Sequence, residues 1–224
     1  MIFFDIDDTL LDHSSAEKLA AQAFGERYRE RLPERSTPFI ERWRRLTDQH
    51  MKRFLSGELT FQAQRRFRIR EIFGQNFDDD ECDAYFQEYL TFYESNWRLF
   101  DDVLPCLDAL SHLRLGIITD GSSTQQREKL QRTGILSYFT IVLTAEDAKA
   151  AKPSADIFEQ AWQASGTSVD VCWHVGDNLE KDALGASAIG MKGVWLNRSK
   201  AHAAMPEVTC CHTLKEFVSL VLEG

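Results

Sequence analysis

Within its first ten residues the chain sets three carboxylates directly behind an apolar run. Met1 to Phe4 fits a buried strand, and Asp5, Asp7 and Asp8 follow at once in FFDIDDTL. In extended chain, residues two apart face the same way, so Asp5 and Asp7 share one side and Asp8 takes another. Two carboxylates aimed together repel, and a shared proton or a hard cation such as Mg2+ relieves that repulsion. A turn in which Asp8 or Thr9 caps a helix accounts for one of these acids, not for three.

The chain has 224 residues, 43% of them hydrophobic, which suffices for one large domain or for a core with an insertion. A net charge of -9 argues against a general binder of nucleic acid or of membrane surfaces. Asp5 interrupts the first apolar run and no stretch is long enough to span a bilayer, so the expected location is cytoplasmic. Cys82, Cys106, Cys172, Cys210 and Cys211 show no CxxC spacing and read as reduced thiols. His174 sits inside an apolar run, as a core histidine does.

After Thr9 the pattern turns helical for nearly ninety residues. Ser14 or Ser15 can cap a first helix containing Leu19, Ala23 and Phe24, before a break from Pro33 to Pro38. Phe39, Trp43, Leu46, His50 and Phe54 recur at steps of three and four on a second, which Gly57 ends. Leu59 to Phe73 forms a third, and the acids from Asp78 to Asp83 open a fourth carrying Tyr85, Phe86, Tyr89, Phe92, Tyr93 and Trp97. Four helices with short breaks predict an antiparallel bundle. Residues 27 to 70 hold twelve arginines and one lysine against five acids. Such a segment either draws anions or pairs with the acidic fourth helix.

From Leu104 strands and helices alternate. A helix over Leu104–Leu113 precedes the strand Leu115–Thr119, then helix Ser122–Thr133, strand Phe139–Leu143, helix Ser154–Ala164, strand Val171–Val175, helix Glu180–Ala188, strand Val194–Leu196 and helix Leu214–Leu222. This alternation predicts an α/β fold: a parallel sheet covered by helices on both faces. Ligands of such sheets gather beyond the carboxyl ends of the strands. Those ends carry Asp5 and Asp7; Thr119, Asp120 and Gly121; and Gly176, Asp177 and Asn178, while Lys152 precedes a helix. A hydroxyl, a lysine and several carboxylates at one sheet edge point to chemistry.

These residues resemble the haloacid dehalogenase superfamily, in the branch with a helical-bundle cap inserted after the first strand. Its four motifs correspond to Asp5-Ile6-Asp7-Asp8-Thr9, to Thr119, to Lys152-Pro153, and to Gly176-Asp177 with Asp182. The resemblance implies a Rossmann-like core over residues 1–13 and 98–224 and a cap over 14–97. It further implies that Asp5 attacks phosphorus, that Asp7 is general acid and base, and that Thr119, Lys152 and the backbone at Asp120 and Gly121 hold the phosphoryl group. Mg2+ is the implied cofactor, with Asp5, the backbone carbonyl of Asp7 and Asp177 as ligands and Asp182 behind them. An acid at position 7 favours phosphate ester hydrolysis over carbon–halogen cleavage, because a halide leaving group needs no proton.

The segment from Thr119 to Leu130 is similar to pyrimidine-preferring 5'-nucleotidases and to sugar-acid phosphatases, and a cap that closes over the site suits a small phosphorylated metabolite. The alternatives are a sugar-phosphate phosphatase or phosphomutase of the same superfamily, or a binding or regulatory protein that retains the fold. Asp120 departs from the usual pattern, since relatives often carry Asn there. A carboxylate beside a phosphate site must be turned away or paired with a cation.

Overall fold

The computed structural model describes residues 1–200 and 207–223. The remaining residues of the expected 98–224 segment, 201–206 and 224, lie outside the described ones. The chain forms two compact units, Met1–Asp12 with Leu99–Gly224, and His13–Arg98. In chain order the elements are β1 (Ile2–Phe4), α1 (His13–Arg27), α2 (Phe39–Leu55), α3 (Phe61–Phe73), α4 (Asp79–Ser95), α5 (Val103–Ala109), β2 (Leu115–Thr119), α6 (Ser123–Arg132), β3 (Phe139–Thr144), α7 (Ala145–Ala148) and α8 (Ala155–Ser165). They continue with β4 (Trp173–Gly176), a π-helical turn over Leu179–Leu184 that runs into α9 (Gly185–Ala188), β5 (Lys192–Leu196), β6 (Thr209–Cys211) and α10 (Leu214–Glu223).

In the first unit the six strands form one sheet in the order β3-β2-β1-β4-β5-β6, and every pair is parallel. β1 lies inside it because Ile2, Phe3 and Phe4 are buried on both faces. Burying each phenylalanine contributes on the order of 2 kcal/mol. Successive residues of a strand point to opposite faces. On β4, Phe217 of α10 meets Trp173 and Phe158 of α8 meets His174, so helices cover both sides. The ends of the chain flanking the helical segment are tied within this unit: Leu11 and Leu99 form an antiparallel bridge, and Phe100 N–H donates to the Leu10 carbonyl at 3.1 Å.

Several boundaries differ from expectation. Val171 belongs to a short 3-10 turn and is half exposed, so β4 begins at Trp173. The helix expected from Glu180 opens as the π turn, in which Asp182 and Ala183 are buried. β6 was not expected; it is short and edge-bound, and TCC lacks the length of an apolar run.

The second unit is four helices, with α1 packed on α2 and α4, and α3 on α2 and α4. α1 starts at His13, so Ser14 and Ser15 lie within its first turn rather than capping it. Its buried stripe is Ala16, Ala20, Ala21 and Phe24. Phe24 meets Trp43 with ring centroids 5.4 Å apart, and Trp43 meets Tyr89 at 4.6 Å, so the aromatic stripes form this unit's core. Thr60 caps α3 and an Asp78–Glu81 capping box opens α4. Arg66 and Arg70 pair with Asp79, and Arg66 also with Asp83, so part of the arginine excess is matched by the acidic helix.

Candidate active site

The predicted residues converge at the C-terminal ends of β1, β2 and β4. Asp5 N–H donates to the Val175 carbonyl at 3.0 Å, one step beyond the β1–β4 ladder. The chain then leaves the sheet through a turn in which Asp8 takes a left-handed backbone, φ 59°. Thr9, buried in that turn, accepts the Asp177 N–H at 3.0 Å on its hydroxyl, which joins the loops after β1 and β4. Trp195 Nε1 holds the Asp177 carbonyl at 2.9 Å. Thr119 ends β2, Gly121 follows with φ 111°, and Ser122 caps α6.

Lys152 lies between two acids. Its Nζ is 2.6 Å from Asp5 Oδ1 and 2.6 Å from Asp182 Oδ1, and all three residues are buried. Asp182 also takes His174 Nε2 at 3.1 Å on Oδ1 and the Asn178 N–H at 3.0 Å on Oδ2. Burial alone would raise the Asp182 carboxyl; Lys152 and His174 outweigh it and hold it well below the ordinary carboxylate range. Burial likewise opposes the Lys152 charge, but Asp182 and Asp5 overcome it and push the ammonium upward. Burial drives His174 down against the pull of Asp182, and so disfavours its charged form. The approach of Asp182 needs Gly176, because a Cβ there would lie 2.2 Å from Asp182 Cγ.

Oxygens of Asp5, Asp177 and Asp182 lie within 4.8 Å of one another. Burial, partly offset by Lys152, raises Asp5 to about 7. Burial and the neighbouring charge of Asp5 raise Asp177 to about 8. Carboxylates crowded to this degree resist sharing negative charge unless a cation joins them, and all-oxygen donors suit a hard divalent ion. Since both Asp182 oxygens already accept hydrogen bonds, Asp5 and Asp177 would be better placed than Asp182 to hold such an ion.

Asp7 takes a different cation from Asp5. Lys129 Nζ lies 2.7 Å from Asp7 Oδ1 and 2.8 Å from Oδ2, and Gln126 Nε2 is 3.2 Å from Oδ2. The same Gln126 amide donates to Thr119 Oγ1 at 2.8 Å, so Asp7 and Thr119 share a partner. Asp120 is both turned and paired: Oδ1 accepts the Lys152 backbone N–H at 2.9 Å and Oδ2 accepts Lys181 Nζ at 2.9 Å.

Sequence reasoning missed Gln126, Lys129 and Lys181. The first two lie three apart on α6, and both are buried with Leu130 on its inward face. Polar residues on the buried face of a helix that follows a site strand are the signal that could have found them. Nothing local marks Lys181, whose partner is 61 residues away.

A family model for haloacid dehalogenase-like hydrolases matches residues 1–190. The chain is 28% identical to the glyceraldehyde 3-phosphate phosphatase of Methanothermobacter thermautotrophicus, over 92% of this chain and 89% of that protein. It is 37% identical to pyrimidine 5'-nucleotidase YjjG of Escherichia coli, over 47% of this chain and 49% of that one. Apart from the first of these, the chain spans about half the length of curated relatives it matches. Its structure is similar to that of a 2-haloacid dehalogenase from Pseudomonas syringae, with TM-score 0.75 and 25% identity over 99% of this chain and 97% of that one. Because that family model covers most of the chain, the chain belongs to the haloacid dehalogenase-like hydrolase family.

Proposed function

We propose that the chain is a Mg2+-dependent phosphatase of small phosphomonoesters that works through a phosphorylated Asp5, with residues 14–97 an inserted cap in a core of 1–13 and 98–224. The observation that carries this reading is the single lysine, Lys152, lodged between Asp5 and Asp182 with Asp177 adjacent. It pairs a nucleophile with the charge that phosphoryl transfer requires.

In the first step an Asp5 oxygen attacks phosphorus and the ester P–O bond breaks, while Asp7 gives its proton to the departing alkoxide. In the second, Asp7 takes a proton from water, the water oxygen bonds to phosphorus and the Asp5–phosphorus link breaks. Thr119 and the N–H groups of Asp120 and Gly121 hold phosphoryl oxygens, and Lys152 offsets charge on Asp5 and on the phosphate. Asp5, the Asp7 carbonyl and Asp177 would hold Mg2+, with Asp182 steadying the group through Lys152. When bound, the ion neutralises phosphate charge and aligns it with the nucleophile.

Asp7 separates this reading from carbon–halogen cleavage. The named relatives divide between a sugar-type phosphate and pyrimidine nucleotides as substrates. A panel of nucleoside monophosphates, sugar phosphates and p-nitrophenyl phosphate, read by released inorganic phosphate with and without Mg2+, tests class and substrate together. Metal-dependent release that Asp5→Asn abolishes supports the reading. No release from any member overturns it in favour of a binding or regulatory protein, and turnover requiring a bisphosphate activator would indicate a mutase.

A further inference from the structure

β2 ends in Thr119-Asp120-Gly121, and the residue between the hydroxyl and the glycine is an acid. On the phosphatase reading, the backbone N–H groups here face phosphoryl oxygens, so a bare carboxylate on the same residue would repel the anion being held. The carboxylate is not bare. Its Oδ2 receives Lys181 Nζ at 2.9 Å, and its Oδ1 receives the backbone N–H of Lys152 at 2.9 Å. The Asp120 side chain is 17% exposed and that of Lys181 41%. Lys181 stands in the π turn one residue before Asp182, which grips the Lys152 ammonium. Asp120 therefore ties the end of β2 to the Lys152 backbone and to the π turn.

This arrangement needs a carboxylate. Both oxygens accept, whereas an amide in the same pose would bring one oxygen to the Lys152 N–H and an N–H2 group against the Lys181 ammonium, donor to donor. Equally, removing the ammonium leaves a negative charge within the phosphate-binding loop. We infer that Lys181 is a positioning residue of the phosphate site, and that Asp120 and Lys181 act as one neutral pair in which each is harmful without the other. The inference rests on the phosphatase reading for what the loop binds.

Calorimetric titration of the Mg2+-supplemented protein with inorganic phosphate reads the pair without requiring turnover, and the KM for p-nitrophenyl phosphate reads it in catalysis. Lys181→Met should weaken phosphate binding and raise KM roughly five- to tenfold while kcat changes less than about twofold, a moderate effect because the pair is part exposed. Lys181→Arg keeps the charge and should stay within about twofold of wild type. Combining Asp120→Asn with Lys181→Met removes both charges and should recover most of the lost affinity, the reverse of additive damage. Phosphate affinity in Lys181→Met within about twofold of wild type overturns the inference. So does a double variant as weak as Lys181→Met, or wild-type protein that binds no phosphate. Phosphate binding without turnover would instead overturn the phosphatase reading alone.

Discussion

Lys129 holds the carboxylate of Asp7 by both oxygens, with Nζ at 2.7 Å from Oδ1 and 2.8 Å from Oδ2. The lysine is 2% exposed, so its charge is withdrawn from water where it meets Asp7. Lys129→Met preserves the length of the side chain and removes the grip. A misaimed acid–base group typically costs on the order of 10²-fold in rate, so kcat should fall by about that factor. KM should move little, since on the proposed mechanism Asp7 serves the leaving group rather than the phosphoryl oxygens. Lys129→Arg should recover part of the loss. Steady-state kinetics of the two variants, with circular dichroism to check folding, decide the point; a wild-type kcat in Lys129→Met excludes the role.

Lys152 is the ammonium shared by Asp5 and Asp182, and the three groups are nearly dry. Breaking a buried ion network by deleting one partner typically costs about 3 kcal/mol or more. Lys152→Met should therefore lower stability by about that amount in urea melts and reduce turnover by at least about 10³-fold. Turnover near wild type would remove Lys152 from the mechanism.

Asp5 and Asp177 have folded-state values raised to about 7 and about 8. In the unfolded chain both ionise near pH 4. From there up to about pH 8 the folded state holds the extra protons, so their stabilising contribution is full below about pH 4, declines steadily as pH rises, and is gone once pH has passed through 7 for Asp5 and 8 for Asp177. Asp182, held low, contributes the opposite way: its stabilisation is present above about pH 4 and lost only on strong acidification. Without metal, Asp177→Asn should thus be nearly as heat-stable as wild type near pH 4 and gain on it progressively as pH rises to about 8. Mg2+ should stabilise wild type and leave the variant almost unchanged. Binding of Mg2+ near pH 7 should release about one proton, falling toward none by about pH 9. Calorimetry in buffers of different ionisation enthalpy measures this; proton release independent of pH would refute the assignment.

Gly176→Ala tests the close approach of β4 to Asp182. The added methyl would sit 2.2 Å from Asp182 Cγ, so the π turn or the strand must shift. Overpacking of this kind costs about 1–3 kcal/mol. Both the thermal midpoint and the Mg2+ affinity should fall, because Asp182 also fixes Lys152.

The parts of this protein that could be read from sequence are those whose partners share a local pattern. Asp5, Thr119 and Asp177 were legible because each follows an apolar run, and a parallel sheet collects such ends along one edge. The turn after β4 is less so: the pattern predicts a helix over Glu180–Ala188, while the wider π turn forms around buried Asp182. Asp7 was expected to share a side with Asp5, and both do reach the same edge. Which cation each takes was not legible, since Lys152 and Lys129 come from segments far apart in the chain. The Asp120 departure was recognised as a charge needing a partner, and only the folded backbone identifies Lys181.

The bridge between Leu11 and Leu99, with Phe100 bonded to Leu10, makes the closure of the sheet-bearing unit independent of what lies between those residues in the chain. The sheet-bearing unit stitches its own backbone together at the two points between which the helical unit, His13–Arg98, is spliced. A change in the length of that stretch therefore leaves in place the pairing that holds β1 between β2 and β4.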